Sequence, residues 1–400
     1  MSRSIIHVGL DVHAQSIAVA IAEAGAEVRL HGSLSSGLHS VDKFLAKLRK
    51  AHPDAELRFC YEAGPTGFVL QRHFARKGIE CLVVAPSLIP SRSGDRIKTD
   101  KRDAVKLARL FRAGELTGVH VPDAVDEAMR DLCRARTDAV QDQRRQRAQL
   151  KAFLLRNGYR YQGKTSWNEK HLSYLRSLTL THPAQRAVLE DTLQSLLGAE
   201  ARIGRLEESM EALLADWHMK PVVAALMGMR GFALVGAMVI VSELGGAWRF
   251  EHPRQLMAYL GLVPTEASSG GKRRQGSISK TGNCHARWIM IEASHHYRLE
   301  PGVSPQLSRR QEGLSEDVKA CAWKAQTRLH KRLRQLLARG KHRNKAQVAV
   351  ARELTGFVWQ IFRLMEGRMK EASTPAPEKG PEKNNKEKQQ RAMKRHTTST

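Results

Sequence analysis

The order of apolar segments near the N-terminus constrains the fold of this 400-residue chain more than any other feature. IIHVGLD, residues 5–11, is apolar enough for a central strand, and IAVAIAE and EVRLHGSL predict two more strands of a meander. A helix is expected next, from about Leu38 to Ala51. The following segments predict in turn a strand, a helix, a strand and a helix: LRFCYE, GFVLQRHFARKG, ECLVVA and RIKTDKRDAVKLARL. We therefore expect an N-terminal α/β domain with a mixed sheet.

This order of elements matches a ribonuclease H-like core, in which helices flank a mixed sheet. In such a sheet Asp11 ends the first strand and Glu62 ends the fourth, and the helix with Asp100 and Asp103 packs across the same edge. Four converging carboxylates repel one another unless cations neutralise them, and hard oxygen ligands suit Mg²⁺. Two such ions, about 4 Å apart, could activate an attacking oxygen and stabilise a leaving one during phosphodiester cleavage. We therefore expect a magnesium site at this edge.

Each of these acids also has a simpler structural explanation. Thr99 or Asp100 can cap the helix, and acids in a first turn complement the helix dipole. Asp11 can be a turn residue at the end of a strand, and Glu62 an ordinary surface acid. Any of these explanations suffices for its own residue, but the coincidence of four acids at one sheet edge favours metal binding.

The charge of the chain points to a polyanionic partner. Lysine and arginine total 66 against 40 aspartates and glutamates, which gives a formal net charge of +26. Nucleic acid is the leading candidate, and an anionic membrane surface is the weaker one. The longest nearly unbroken apolar run, Phe232 to Val241, is too short to span a bilayer. Five widely spaced cysteines indicate neither a disulfide framework nor a zinc site, which fits a reducing cytosol. From the short apolar run and the cysteine spacing together, we expect a cytoplasmic protein without a membrane partner.

Basic side chains dominate a long helical stretch beyond Pro122. A solvated helix face and a face that follows nucleic-acid phosphates are both open explanations for it. We predict nucleic-acid contacts at Arg144, Arg145 and Arg147. The basic residues of the stretch are Arg134, Arg136, Arg144, Arg145, Arg147, Lys151 and Arg156.

A heptad pattern follows between Pro183 and Trp217. Heptads of this kind predict a buried helical seam, whose partner is either another helix of this chain or a second copy. The apolar positions are Leu189, Leu196, Ile203 and Met210, with Ala199, Leu206 and Leu213 three residues further on.

The segment Gly261–Asn283, GLVPTEASSGGKRRQGSISKTGN, is rich in glycine and basic residues. It lacks the G-x-x-x-x-G-K-[ST] pattern of a nucleotide-binding P-loop, because a serine stands where the lysine belongs. A cationic loop here could hold a DNA phosphate and offer it a serine hydroxyl, Ser268 or Ser269. On the residues alone, a plain phosphate-binding loop is favoured, because no base for the serine is visible. The predicted phosphate contacts are Lys272, Arg273, Arg274 and Lys280.

Several motifs together resemble the DEDD transposases of the insertion-sequence 110 family, with similarity from about Ile5 to about Arg368. The motifs are GLDVH at Asp11, YEAGPTG at Glu62, KTDKRDA at Asp100 and Asp103, LFRAGELTGVHVPD, GLVP with SSGGKRRQGSISKTGN, and RGKHRNKAQVAVARELTGFVW. The resemblance implies a RuvC-like nuclease domain (1–122), a helical and coiled-coil linker (123–218) and a mainly α-helical transposase domain (219–370). Residues 371–400 lack periodicity and apolar content and are expected to be a disordered tail.

The resemblance also implies a mechanism and partners. Asp11, Glu62, Asp100 and Asp103 would bind Mg²⁺, and a nucleophilic serine, mapped to Ser268 with Ser269 adjacent, would form a covalent protein–DNA intermediate. Donor DNA, target DNA and a structured noncoding bridge RNA would be the partners, and the chain would act as a homo-oligomer, a dimer or a tetramer. Two other hypotheses stay open: a RuvC-like hydrolytic nuclease or junction resolvase, and a non-catalytic nucleic-acid-binding protein whose acids only cap helices.

Overall fold

The computed structural model describes residues 4–90, 99–246, 249–267 and 274–373. The chain forms two compact units, divided between Asp123 and Ala124. Each unit has its own hydrophobic core.

The first unit is built on one five-stranded mixed sheet in the order β3-β2-β1-β4-β5. β1 runs antiparallel to β2 and parallel to β4, and β5 runs parallel to β4. This mixed sheet and its order of strands and helices confirm the expected α/β class and are compatible with a ribonuclease H-like core. The elements are β1 (Ile5–Val12), β2 (Ser16–Ala22), β3 (Arg29–Ser35), α1 (Leu38–Ala51), β4 (Glu56–Glu62), α2 (Val69–Arg76), β5 (Glu80–Val84) and α3 (Asp100–Arg112).

The two faces of this sheet differ in side-chain size. Alternate strand residues point to opposite faces, and large apolar residues such as Leu10 and Phe59 form one core with α1 and α2. On that face the rings of Phe59 and Phe74 stack with centroids 4.2 Å apart. The other face is lined by small residues, and Ala18, Ala20 and Ala22 pack there against Ala104 and Ala108 of α3. Small side chains on both surfaces let α3 pack closely against the sheet.

β1 and α3 approach each other closely at Gly9. A Cβ atom built on Gly9 would lie 2.4 Å from the amide nitrogen of Ala108 and 2.5 Å from the carbonyl oxygen of Ala104. No side chain fits in that space, so glycine at this position allows the backbone of α3 to lie directly on the sheet.

The second unit is mainly α-helical. Most of its helices pack around one large apolar core, a smaller apolar cluster forms around Leu150, Leu175 and Leu189, and a two-stranded sheet lies at the surface. None of the helices in the described parts of the chain has both the length and the apolar character that crossing a membrane requires. The elements are α4 (Ala124–Arg156), α5 (Glu169–Ser177), α6 (Pro183–Leu214), α7 (Lys220–Met227), α8 (Leu234–Leu244), α9 (Pro253–Tyr259), β6 (Pro264–Glu266), β7 (Gln275–Ile278), α10 (Cys284–Ser294), α11 (Pro305–Gln311), α12 (Glu316–Ala338) and α13 (Arg343–Ser373).

Part of the heptad pattern of α6 packs against α4 within the chain. Leu189 packs in one cluster with Leu150 and Leu154 of α4, and Met210 packs in another core with Met129 and Cys133 of the same helix. The seam does not extend to Leu213, which remains 54% exposed. Of the two partners considered for this helix, the structure provides the one within the chain. α13 continues to Ser373, so residues 371–373, which the sequence assigned to a disordered tail, are helical, and residues 374–400 lie outside the described residues.

Candidate catalytic site

The strand register places Asp11 and Glu62 side by side. β1 and β4 are parallel and in register through Leu10 and Tyr61, and the two acids are the residues that follow this pair. Asp11 points to the same face of the sheet as Gly9, two residues earlier, which packs against α3. Glu62 points to the same face as Cys60, whose Sγ atom lies 3.7 Å from the Leu107 carbonyl oxygen of α3. Both acids therefore lie on the α3 face of the sheet.

The first turn of α3 brings two further acids to this face. The hydroxyl oxygen of Thr99 accepts a hydrogen bond from the Arg102 backbone nitrogen at 3.3 Å, so Thr99 is the N-cap, as one of the sequence explanations predicted. Asp100 and Asp103 follow in the first turn. Capping by Thr99 leaves both carboxylates free for another role, so the cap and a metal site are compatible.

Asp11, Asp100 and His13 form a tight group. The Nε2 atom of His13 lies 3.2 Å from Oδ2 of Asp11 and 3.5 Å from Oδ1 of Asp100. One ligand atom from each of the three residues lies within 4.8 Å of the others, a spacing that suits a metal ion. Among the described residues, neither Glu62 nor Asp103 belongs to this group.

His13 was not anticipated as a site residue. It lies in the turn that follows β1, two residues beyond Asp11, and its side chain is about half exposed. The motif GLDVH contains it, so the signal was present in the sequence, although nothing in the strand pattern singled out the histidine.

The electrostatics of the group favour a cation. Only 15% of the Asp11 side chain is exposed, whereas 63% of the Asp100 side chain is. Burial raises the pKa of the Asp11 carboxyl above its ordinary value, and the carboxylates of Asp100 and Asp103 raise it further, while His13 opposes this effect. A raised pKa means that the charged form of Asp11 is disfavoured, and a bound cation would relieve that cost. The carboxylates of Asp11 and Asp100 supply oxygen ligands of the kind that hard divalent cations prefer, whereas the imidazole of His13 is a ligand of softer metals.

The serine segment, defined as residues 268–273 with Ser268 and Ser269, connects β6 and β7, which form a hairpin that the sequence did not predict. β6 and β7 pair antiparallel, and the Ala267 backbone nitrogen donates to the Arg274 carbonyl oxygen at 2.9 Å. The predicted residues Ser268, Ser269, Lys272 and Arg273 lie between these two positions and outside the described residues. Of the predicted phosphate contacts, Arg274 and Lys280 are described, and both are exposed.

The base of this hairpin is closely packed. A Cβ atom on Gly282, which has a φ of +70°, would lie 1.9 Å from the Tyr259 carbonyl oxygen. The Arg287 guanidinium donates to the carbonyl oxygens of Leu260 and Thr281 at 3.0 and 2.9 Å. The residues at the base of the β6–β7 hairpin are therefore held in place by close backbone packing and by the hydrogen bonds of Arg287.

The predicted nucleic-acid contacts on α4 have protein partners. Arg145 forms an ion pair with Asp142, and Arg147 donates to Glu200 at 2.7 Å. The guanidinium of Arg144 lies over the ring of Trp288, 5.6 Å from its centroid. The structure thus places all three on the helix, and their role toward nucleic acid stays a prediction.

Two other arginines of the basic stretch anchor α4 to neighbouring helices. Arg134 donates to both carboxylate oxygens of Glu243 at 2.7 and 2.9 Å, and Arg136 donates to Glu207. Only 1% of the Glu243 side chain is exposed, and Asn283 Nδ2 donates to it at 2.7 Å. Both guanidinium groups therefore form ion pairs between helices, a role that neither sequence explanation included.

Comparison with known proteins agrees with the motifs of both units. Residues 8–157 match the DEDD transposase model of IS110 elements, described as Transposase, and residues 223–302 match the Transposase IS116/IS110/IS902 family. The chain is 43% identical to the putative transposase y4qE of Sinorhizobium fredii over 89% of this chain and 88% of that protein. It is 28% identical to the transposase for insertion sequence element IS1533 of Leptospira borgpetersenii, over 84% of this chain and 98% of that protein. The chain therefore belongs to the IS110 family of insertion-element transposases.

Proposed function

We propose that this chain is a DNA recombinase that excises and inserts its own insertion element, with a RuvC-like nuclease domain at its N-terminus. The observation that carries the proposal is the group formed by Asp11, His13 and Asp100, on the sheet face that also receives Glu62 and Asp103. Acids with a purely structural role need no such convergence, and here it places the largely buried carboxylate of Asp11 among like charges.

The four acids, Asp11, Glu62, Asp100 and Asp103, would hold Mg²⁺. When bound, the ion would neutralise their charge and polarise a phosphate oxygen of the DNA. The close packing of α3 on β1 at Gly9 would keep the helix acids and the strand acids at a fixed separation. His13 would hold Asp11 and Asp100 in place through its Nε2 contacts.

The serine hydroxyl would supply the nucleophile for strand cleavage. The Oγ atom of Ser268 would form a bond to phosphorus as the bond to the leaving strand breaks, the serine would lose its proton, and the leaving oxygen would gain one. The phosphodiester energy would be kept in the serine–phosphate bond, so strands could be rejoined without an external energy source. The support for this role is the family resemblance and the cationic character of the segment, with Arg274 and Lys280 exposed beside it.

We further propose that a structured RNA guides the reaction, that donor and target DNA are the substrates, and that the chain acts as a homo-oligomer. The boundaries proposed from the sequence are the nuclease domain 1–122, the helical linker 123–218 and the transposase domain 219–370. A guided enzyme should co-purify with one discrete transcript of its own element. Sequencing only random cellular RNA from the purified protein would contradict guidance.

The nucleophile is tested with a suicide DNA substrate. Wild-type protein, guide RNA and a nicked element end should give an adduct that resists denaturant, and peptide mapping should place it on Ser268. Ser268→Ala should abolish the adduct and preserve complex assembly, because it deletes one hydroxyl without changing the charge of the segment. Ser269→Ala is the matched control and should keep the adduct. Efficient cleavage by the wild type without any adduct would instead support a hydrolytic nuclease.

A further inference from the structure

The hairpin formed by α12 and α13 carries an unusual concentration of positive charge. Residues 318–352 contain eleven lysines and arginines and no aspartate or glutamate. A run of cations without intervening acids is typical of a surface that meets a polyanion.

Most of these cations pair with no acid in the described part of the chain. Arg328 and Arg332 both bind Glu353, at 3.2 and 3.0 Å, and Lys319 binds Glu316. Within the described parts of the chain, no carboxylate pairs with seven other exposed cations. They form the basic hairpin surface: Lys324, Lys331, Arg334, Arg339, Lys341, Arg343 and Lys345.

These side chains project from two helices that pack against each other. α12 and α13 pack through a buried interface that includes Leu329, Leu333 and Val350. Between them Gly340 has a φ of +71°, and the Lys341 backbone nitrogen donates to the Leu336 carbonyl oxygen at 3.0 Å, which closes the end of α12. The cations therefore keep their spacing before any partner binds.

The positive charges at the N-terminus of α13 interact unfavourably with the helix dipole. Arg343 and Lys345 lie in its first turn, which contains no acid. Cations are unfavourable near a helix N-terminus, whereas anions are stabilised there. An anion bound at this end would remove the conflict.

A large aromatic side chain lies on the same helix. Trp323 is 48% exposed although tryptophan is usually buried. Lys331 and Arg334 follow it on the same side of α12, about 12 and 16 Å along the helix axis. An exposed ring beside spaced cations is the arrangement that binds single-stranded nucleic acid, because a base stacks on the ring while the cations follow the phosphates.

We propose that the basic hairpin surface binds an unpaired stretch of DNA, with one base on Trp323 and phosphates on Lys331, Arg334 and the α13 N-terminus. This rests on the proposed function, because cleavage and exchange of element ends would expose unpaired strands. The exposed ring favours an unpaired strand over a duplex, since bases in a duplex are already stacked.

The test measures DNA binding by the full chain carrying Asp11→Asn, so that binding is read without cleavage. The triple variant Lys331→Gln, Arg334→Gln, Arg343→Gln should bind fluorescent oligo(dT) more weakly. The slope of log K against log salt should fall by about 2, since each lost contact to a single strand removes about 0.7. The control Arg176→Gln, Arg202→Gln, Lys370→Gln removes the same charge from exposed residues that are already paired with acids, and its slope should not change.

Trp323 gives an independent readout. Trp323→Ala should weaken oligo(dT) binding roughly tenfold and leave duplex binding unchanged, and Trp323→Phe should restore most of the affinity. Equal losses in the triple variant and the charge-matched control would overturn the proposal, because net charge alone would then explain binding. Losses confined to an RNA oligonucleotide, or to duplex DNA, would also overturn it. None of these outcomes depends on whether the acids bind a metal.

Discussion

The backbones of Gly9 and Ala108 lie so close together that a Cβ atom on Gly9 would come within 2.4 Å of the Ala108 amide nitrogen. This contact sets the distance between β1, which carries Asp11, and α3, which carries Asp100 and Asp103. The geometry of the candidate catalytic site therefore depends on a residue that has no side chain.

Gly9→Ala should push α3 away from the sheet. We expect a loss of about 1–3 kcal/mol in the free energy of unfolding, because overpacking forces backbone shifts. We also expect cleavage to fall roughly tenfold or more, because small misplacements of reacting groups are costly. Chemical denaturation and a cleavage assay on the same preparation measure both effects.

Gly198→Ala is the matched control. Gly198 lies inside α6, and apart from its chain neighbours and the backbone of its own helix, a Cβ atom there would meet no atom of the described residues within 4 Å. Alanine should be neutral or stabilise the helix by about 0.5–1 kcal/mol. If Gly9→Ala behaves like Gly198→Ala, the close contact between β1 and α3 does not exist in solution.

The heptad seam of α6 predicts a contrast between two leucines. Leu196 is fully buried, whereas Leu213 is 54% exposed. Leu196→Ala should cost about 2–5 kcal/mol in the free energy of unfolding, because it leaves a cavity. Leu213→Ala should change that free energy by about 0.5 kcal/mol or less. A large, concentration-dependent loss of stability in Leu213→Ala would show instead that this position is buried between copies.

Glu243 predicts a dependence of stability on pH. Burial alone would raise the pKa of this carboxyl, but Arg134 and Asn283 hold it below its ordinary value. A carboxyl with a depressed pKa stabilises the fold above its unfolded pKa, about 4.3, and loses that contribution as pH falls through the folded value. Glu243→Gln should therefore cost about 2–3 kcal/mol at pH 7, less than for a fully buried pair because 40% of the Arg134 side chain is exposed.

The difference in Tm between wild type and Glu243→Gln should shrink as pH is lowered from about 5 toward 3. Thermal unfolding followed by circular dichroism across that range measures it. A difference that stays constant with pH would mean that the charge of Glu243 contributes nothing and that the variant only disturbs packing.

The sheet and two of its acids could be predicted because the signals are local. The central strands are continuous apolar runs, and Asp11 and Glu62 stand where those runs end. The capping of α3 by Thr99 was likewise visible as a short-range pattern. These features depend on neighbours a few residues away, which a single sequence displays.

The remaining features depend on contacts that the sequence does not display. β6 and β7 have only three and four residues, mostly exposed, so they lack an alternating apolar pattern. Glu243 and Arg134 are 109 residues apart, and nothing local marks them as partners. The basic stretch of α4 could be located, but which of its arginines bind acids depends on how α4 packs with α6 and α8.

The central claim is that Asp11 and its neighbouring acids hold a divalent cation required for DNA cleavage. Asp11→Asn tests it cleanly, because removing a charge that burial and the carboxylates of Asp100 and Asp103 disfavour should leave the fold at least as stable as the wild type. Loss of activity in this variant would then reflect chemistry rather than unfolding.

The decisive measurement is the rate of element-end cleavage by Asp11→Asn in Mg²⁺, with nucleic-acid binding measured on the same sample. We predict that the cleavage rate falls about 100-fold or more, as it does when other enzymes lose one electrostatic contact to the transition state. The affinity for nucleic acid should stay close to that of the wild type. Chelation of the ion should have the same effect on the wild-type protein. Cleavage by Asp11→Asn at the wild-type rate, or wild-type cleavage that persists in excess chelator, would contradict the account.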